Sequence, residues 1–451
     1  AAVEALIAAR AVVEPVEITL AHDAFADSTP VAWNRSLQAY NRNPEVDSLP
    51  DTECHRALDR NMPVLALRRN GQVGALLSLF GVHATAVGNS QTRYCADNKG
   101  YAAVAAEQAL AQQGAVAPVA IFAQATAGDV SPHYHGPGDV ARRKTLTGAA
   151  EYAYAERNGR LQADHALAVL ARPARVLAGK LDAILSYVDF SNQHANARFA
   201  GGNHEAFTSE PCHGVAFFAG TRVDGPGMPA VAAVLARQAA RAVRLTRLRR
   251  IDRLPLAEQH YYRRLYAAQG DKDILLEAGR KQILGQPIDK LRIPGFADPL
   301  VAELKRQAEA GAMRRSALVP TVLPLQIIRI GPLALLCCPG EFTTIAGQRL
   351  MATVAEVLKA GDIQQVLICT YCNDYMGYVT TREEYQLQAY EGGHTIYGQW
   401  TLAAFQTRFD ELARQLLVSP AHRTHDRLTR PLPAPADELA LRTNLAVPRR
   451  G

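Results

Sequence analysis

Apolar runs and helical stripes follow one another in an order that is used twice along the chain. Val64 to Leu67 and Val73 to Phe80 are apolar runs separated by Arg-Arg-Asn-Gly. Asn70-Gly71 can take the positive φ angles of a tight turn, so the two runs are read as an antiparallel hairpin. Polar residues take over after Phe80, and His83 stands among the first of them. Asp97 or Asn98 then caps a helix from about Lys99 to Gln113, with apolar or small residues at Val104, Ala105, Ala109 and Leu110 and a stop at Gly114. Val119 to Ala123 is the next strand. Strand, helix and strand of these lengths pair in parallel through a right-handed crossover, which brings the loop of His83 and the loop of Asp129 and Ser131 to one sheet edge. Ligands of open α/β sheets bind at that carboxyl edge.

The second unit follows the same order. Leu325 to Ile330, a Gly331-Pro332 turn and Leu333 to Cys338 form a hairpin, followed at once by Pro339-Gly340-Glu341. A helix from about Thr343 to Lys359 carries Leu350, Met351, Val354 and Leu358 at helical spacing and leads to the strand Val366 to Thr370. Asn373, Tyr375 and Tyr378 lie beyond that strand. The pattern therefore predicts an α/β fold of mixed sheets, built from hairpins and βαβ units, with a site at the carboxyl ends of the strands. His83, Ser131, Glu341 and Tyr378 occupy equivalent strand ends and are expected to face one pocket.

Between these units the signals are weaker. Thr145 to Ala200 mixes an alanine-rich helical pattern with LDAILSYVDF, a strand; Gly201 to Gly227 is glycine-rich, and its His204 and His213 are read as surface loop residues. Tyr261 to Gly311 is read as helical segments joined at Gly285-Gln286-Pro287 and Pro294-Gly295. After Pro420 the chain thins to proline and basic residues, with PLPAPADE as an extended tail. The organisation expected is one α/β domain over residues 1–418 and a Pro/Arg-rich tail over 419–451.

Composition narrows the function classes only a little. With 451 residues and 48% apolar content, the chain has ample material for a folded core, and nothing favours disorder over its bulk. The formal charge is +6, with a cluster at Arg237, Arg241, Arg244, Arg247, Arg249, Arg250 and Arg253. A solvated helix face accounts for it, and peripheral contact with an anionic membrane is the alternative; no nucleic-acid partner is expected. The seven cysteines include Cys337-Cys338 on an apolar strand and a CTYC at Cys369 and Cys372 that lacks a second metal-ligand pair, so structural burial is the reading. No apolar run is long enough to span a membrane.

The segments FGVHAT, CADNKGYAA, FAQATAGDVSP, AGTRVDGPG, PGEFTTIAGQRL and DYMGYVTTREEYQLQAYEGGHTIYG resemble, in order, the signature blocks of the neutral, non-lysosomal ceramidase family. The resemblance runs from Asn34 over most of the chain. It implies a zinc-dependent amidase that cleaves ceramide, or a related N-acyl lipid, to a sphingoid base and a fatty acid. By position it implies zinc ligation by His83, Glu341 and Tyr378, catalytic roles in the pocket for Ser131 and Tyr390, and substrate binding by Arg35. A secreted or periplasmic location is the family's implication.

The residues themselves support these roles unequally. A lone histidine is usually a satisfied core residue, but His83 lies at a strand end. Glu341 directly follows an apolar strand and a Pro-Gly turn, where a carboxylate is costly unless paired, so a cation suits it. Tyr378 rests on the resemblance, and Asp129 to Pro132 also read as a plain turn cap around Ser131. The resemblance has departures as well. Thr126 and His133 stand where the family usually has asparagine, Arg382 where it has proline, and the family's small C-terminal β-sandwich has no counterpart after Leu417. The family's upstream His-x-His-x-Ser block, source of a further zinc ligand and an active-site histidine, is not in this sequence, and the simplest account is that the sequence starts after it. Weak zinc binding and little amidase activity are therefore expected of residues 1–451, unless another residue such as His394 takes over. Two alternatives stay open: a serine amidase using Ser131, with His133 and His135 near it in sequence, and a non-catalytic lipid-binding homologue with an incomplete metal site.

Overall fold

Asn70 and Gly71 take φ angles of 50° and 80° and close the hairpin at the centre of the first sheet. This is seen in a computed structural model that describes residues 2–11, 13–136, 146–221, 223–291 and 299–446. The sheet contains β1 (Glu17–Ala24), β2 (Asn61–Arg69), β3 (Gln72–Leu79), β4 (Val119–Ala123) and β5 (Arg175–Val176), in the order β4-β3-β2-β1-β5. Only the β3–β4 pair is parallel, with Ala75 opposite Val119, and the helix Asp97–Gln112 makes the connection. A second sheet contains β6 (Leu181–Asp189), β7 (Val322–Ile330), β8 (Leu333–Cys337) and β9 (Gln365–Cys369), in the order β9-β8-β7-β6. Its β8–β9 pair is again parallel and is bridged by the helix Thr344–Leu358. Both βαβ units predicted from the apolar pattern are present.

Strand alternation decides how the two sheets stack. Leu20, Leu65 and Leu77 point from the first sheet onto Ile330, Leu333 and Leu367 of the second. Their neighbours Val64, Ala66 and Leu76 point the other way, onto Ala102, Ala106, Leu110, Ala163 and Val169 of two outer helices. Leu323, Leu325 and Ile327 similarly meet Leu350, Val354, Phe405 and Phe409. The result is four layers, helices, sheet, sheet and helices, because side chains two apart share a face. Each buried leucine in these layers contributes about 1.5–3 kcal/mol relative to exposure. The sheets also meet at their carboxyl ends, where the Gly128 N–H donates to the Phe342 carbonyl at 2.8 Å. A β-carbon at Gly128 would stand 2.8 Å from that same backbone, so only glycine allows the approach.

Several expectations are corrected. Asp97 does not act as the helix cap: it begins the helix at φ 51°, and its carboxylate accepts from the N–H groups of Ala86 and Val87 at 3.3 and 2.8 Å. Among the described residues of Tyr261 to Gly311 the α-helices are Leu256–Gln269 and Pro299–Glu309, with a single 3-10 turn at Ile288–Lys290. Ile274–Glu277, Gln282–Ile283 and Gln286–Pro287 form a small sheet with Cys212–Gly214, since the apolar Ile-Leu-Leu run and positive φ at Lys281, Leu284 and Gly285 favour tight reversals. The Pro294-Gly295 joint lies outside the described residues. His213 belongs to that small sheet and is buried, not a surface loop residue.

The tail also folds back on the domain. Arg423 pairs with Asp182 at 2.5 Å, and the helix Ala436–Ala446 places the Glu438 carboxylate on the N–H groups of Arg315 and Ser316. Two of the clustered arginines are built into the fold, Arg247 pairing with Glu277 and Arg244 donating to the Gly270 carbonyl, while the exposed Arg241 makes a surface pair with Asp273. Among the described residues no helix is long and apolar enough to cross a membrane.

Candidate active site

Two short bridges at the strand ends assemble the site. Glu341–Phe342 pairs in parallel with Tyr378–Val379, so Glu341 and Tyr378 are register partners and their side chains leave the same face. Trp33–Asn34 pairs with Val130–Ser131, and the Arg35 N–H donates to the Asp129 carbonyl at 2.9 Å. His83 is pinned to the same bridge: its backbone N–H and its Nδ1 both reach the Val130 carbonyl, at 3.0 and 2.9 Å. With Nδ1 committed as a donor, Nε2 is aimed at the other two residues. It lies 2.7 Å from Glu341 Oε2 and 2.8 Å from the Tyr378 hydroxyl. His83, Glu341 and Tyr378 therefore meet at one point, as the strand-end argument expected.

Glu341 is buried, which raises a carboxyl pKa. The positive field of His83, with hydrogen bonds from His83, Tyr371 and Tyr375, outweighs burial and holds it down to about 2. Tyr371 donates to Oε2 at 2.6 Å and Tyr375 to Oε1, which leaves the carboxylate clamped from the far side. Tyr378 is pushed well above the ordinary phenol range by burial and by the Glu341 charge, against the pull of Arg35.

Arg35 and Ser131 meet at a residue the motif reading did not single out, Asp224. The Arg35 guanidinium donates to Asp224 at 2.8 Å, to Glu391 at 2.9 Å, to the Gly128 carbonyl at 3.1 Å and to the Tyr378 oxygen at 3.0 Å. Asp224 also accepts from Ser131 Oγ at 2.7 Å and from Thr85 Oγ1 at 2.8 Å. Burial opposes its ionisation, but Arg35, His83 and His133 hold its pKa well below the carboxylate range. Ser131 thus gives its proton to a weakly basic carboxylate. The His133 ring reaches the Thr85 carbonyl at 2.8 Å, and only its backbone N–H donates to Ser131 Oγ. Tyr390 is half-buried with its ring edge-on to Tyr378 at 5.6 Å, and its hydroxyl makes no hydrogen bond among the described residues.

Asp224, Glu391, Tyr371 and Tyr375 were missed as site residues, though each lies in or beside a quoted segment. Glu391 follows Tyr390, Asp224 is the acid of AGTRVDGPG, and both could have been flagged as carboxylates in blocks that already hold a candidate site residue or a turn. His394 packs its ring 5.3 Å from that of Tyr378 and 4.0 Å from Phe217, and burial brings its pKa down to about 4.

The donor chemistry suits zinc, which takes imidazole nitrogen and carboxylate oxygen, and His83 Nε2 has the orientation that an Nδ1 hydrogen bond to a carbonyl gives a metal ligand. The set stops at two firm donors and a phenol that must lose its proton. Among the described residues no group of three or more His, Cys, Asp or Glu side chains is arranged to hold a metal ion. Donors held about 2 Å from a tetrahedral ion sit roughly 3.3 Å apart, so the 2.7–2.8 Å contacts here would open slightly around one.

Beneath the site a second carboxyl pair is buried. Asp129 is raised to about 6 by burial, and Glu384 to about 7 by burial and the Asp129 charge. Both folded values lie above the unfolded ones, so their contribution is complete below about pH 4 and is lost as pH rises through 6 to 7. A Glu384→Gln variant is expected to flatten the fall in stability between pH 5 and 8. Denaturant midpoints measured across that range check this, and a slope equal to that of the parent protein would refute it.

Comparison with known proteins supplies the family. The sequence model described as "Neutral/alkaline non-lysosomal ceramidase, N-terminal" matches residues 1–289 and 305–407. The chain is 31% identical over 386 residues to the neutral ceramidase of Pseudomonas aeruginosa, covering 84% of this chain and 48% of that protein. It is 30% identical over 418 residues to the neutral ceramidase of Mycobacterium tuberculosis, covering 92% and 57%. A solved structure titled "Ceramidase complexed with C2" superposes with a TM-score of 0.71 at 27% identity, over 95% of this chain and 57% of that one. The crystal structure of the P. aeruginosa neutral ceramidase gives 0.66, also at 27% identity, over 92% and 54%. The chain thus spans about half the length of the relatives it matches.

Proposed function

We propose that this chain, which belongs to the neutral/alkaline non-lysosomal ceramidase family, hydrolyses the N-acyl bond of ceramide or a related N-acyl lipid, with zinc held by His83, Glu341 and Tyr378. The observation that supports it most is the convergence of Glu341 and Tyr378 on His83 Nε2. A secondary amide is a poor electrophile, and zinc would polarise its carbonyl and bring the pKa of a water to about 7.

The chain's own residues then have defined tasks. Glu341, clamped by Tyr371 and Tyr375, keeps a negative charge fixed at the reacting centre. Tyr390 has a free hydroxyl beside Tyr378 and donates to the developing oxyanion, an interaction of a kind worth about 3 to 4 kcal/mol. Ser131 acts as a hydrogen-bonding wall residue rather than a nucleophile, because its proton is held by Asp224. Arg35 fixes the Tyr378 oxygen and gives three further N–H groups to Asp224, Glu391 and the Gly128 carbonyl. Phe217, Tyr390 and His394 form an aromatic wall that suits an acyl or sphingoid chain.

A second reading, lipid binding without catalysis, is favoured by a site that offers, among the described residues, one imidazole and one carboxylate as firm donors. One assay separates them: hydrolysis of a short-chain ceramide and of an unrelated dipeptide by residues 1–451, with zinc in excess and with a chelator. Slow, zinc-stimulated and ceramide-selective turnover is expected. Equal turnover of both substrates would sink the proposal, and ceramide binding without turnover at any zinc level would favour the second reading. Full activity without added zinc would mean that another residue, with His394 the nearest candidate, completes the site.

A further inference from the structure

Three thiols gather between the two sheets at the end that carries Glu341. Cys337 and Cys369 are register partners at the ends of β8 and β9, and both pack with Cys372 in one cluster. Cys372 is folded back over them. Its N–H donates to the Cys338 carbonyl at 2.9 Å, and its S–H donates to the Cys369 carbonyl at 3.3 Å. All three are free cysteines, and Cys372 is partly exposed. Its neighbours Tyr371 and Asn373 both have left-handed φ, 59° and 66°, a conformation that side chains disfavour. The same short segment supplies the clamp on Glu341, through Tyr371 on one side of Cys372 and Tyr375 on the other.

We propose that Cys372 is a peroxide-sensitive modification site whose oxidation closes a disulfide to Cys337 and loosens the tyrosine clamp on Glu341. The Cys337 thiol is the partner because the Cys372 backbone is tied to the adjacent Cys338. The neighbouring Cys337 and Cys369 thiols lower the Cys372 thiol against its burial, so Cys372 is the thiol of the three that ionises most readily and makes the attack. The thiolate attacks one oxygen of hydrogen peroxide; the O–O bond breaks, Cys372 becomes a sulfenic acid, and the departing hydroxide takes a proton to become water. The Cys337 thiol then attacks the sulfenic sulfur. An S–S bond forms, the S–O bond breaks, and the thiol proton leaves with hydroxide as a second water. The two thiols lose two electrons and the peroxide gains them. Bridging draws the two β-carbons to about 3.8 Å, which shifts Tyr371 and with it the Glu341 carboxylate.

The consequence for Glu341 rests on the proposed function, but the bridge does not. The test uses the full chain with the exposed Cys95 replaced, Cys95→Ser, treated with hydrogen peroxide at pH 7 and mapped by mass spectrometry. A Cys337–Cys372 cross-link is expected, absent from Cys372→Ser and retained in Cys369→Ser. Before oxidation, iodoacetamide should label Cys372 about tenfold faster than Cys337 or Cys369, reflecting its greater thiolate fraction. A Cys369–Cys372 bridge, or Cys372 left reduced, would overturn the assignment. A bridge that forms without weakening zinc binding would overturn the coupling to Glu341. The cross-link is mapped without substrate or metal, so a protein that lacks hydrolase activity would still form it.

Discussion

An Arg35→Met variant is expected to lose about 3–5 kcal/mol of folding stability, the range for removing one partner of a buried ion pair. Arg35 is buried, and it faces two carboxylates, Asp224 and Glu391, that are buried with it. Methionine fills much of the volume but takes the guanidinium away from both carboxylates. Asp224 would keep Ser131 and Thr85 as donors, yet two neutral hydroxyls do not replace a guanidinium. Arg35→Lys should recover only part of the loss, since one ammonium cannot reproduce the fork that spans Asp224, Glu391 and Tyr378. Denaturant unfolding of the three proteins at pH 7 gives the comparison. A loss below about 1 kcal/mol in Arg35→Met, the size of an exposed pair, would show that the carboxylates are not buried against it in solution.

His83→Ala is expected to lower zinc-stimulated ceramide hydrolysis by at least about 100-fold. Even residues that only hydrogen-bond to metal ligands are worth about 10–100-fold, and His83 is the imidazole that contacts both Glu341 and Tyr378. Stability should change far less than rate. Tyr371 and Tyr375 still donate to Glu341, and a buried carboxyl that loses the field of His83 can take up a proton instead of remaining an unpaired charge. The check is a zinc titration of hydrolysis in both proteins alongside their unfolding curves. Parallel losses of rate and stability would indicate a structural histidine instead.

These two residues were legible in the sequence to different degrees, and the reason is physical. The hairpins and both βαβ units follow from local pattern: Asn70-Gly71 fixes a turn, alternation fixes faces, and strand–helix–strand order fixes parallel pairing. That logic alone brings His83 and Ser131 to one edge and Glu341 to the equivalent edge of the other sheet. It carries Tyr378 only to the loop beyond the last strand of the second unit; the pairing with Glu341 runs through a two-residue bridge too short to leave a periodic trace. Asp224 and Glu391 were invisible for a related reason. Their ion pairs with Arg35 span 189 and 356 positions, and no local pattern records a partner so far along the chain. Residues 274–287 were misread as helical because strands of two to four residues carry too few positions to establish a period. The fold around the site is therefore written locally, while the charges that set the site are written in tertiary contacts.

The central claim, that His83, Glu341 and Tyr378 form the metal-binding centre of an N-acyl amide hydrolase, is tested most directly by anomalous diffraction at the zinc edge from zinc-soaked crystals. The account predicts one peak at about 2.0–2.2 Å from His83 Nε2 and a Glu341 oxygen, with Tyr378 as the next oxygen. A zinc peak bonded by sulfur at about 2.3 Å among Cys337, Cys369 and Cys372, with none beside His83, would contradict it.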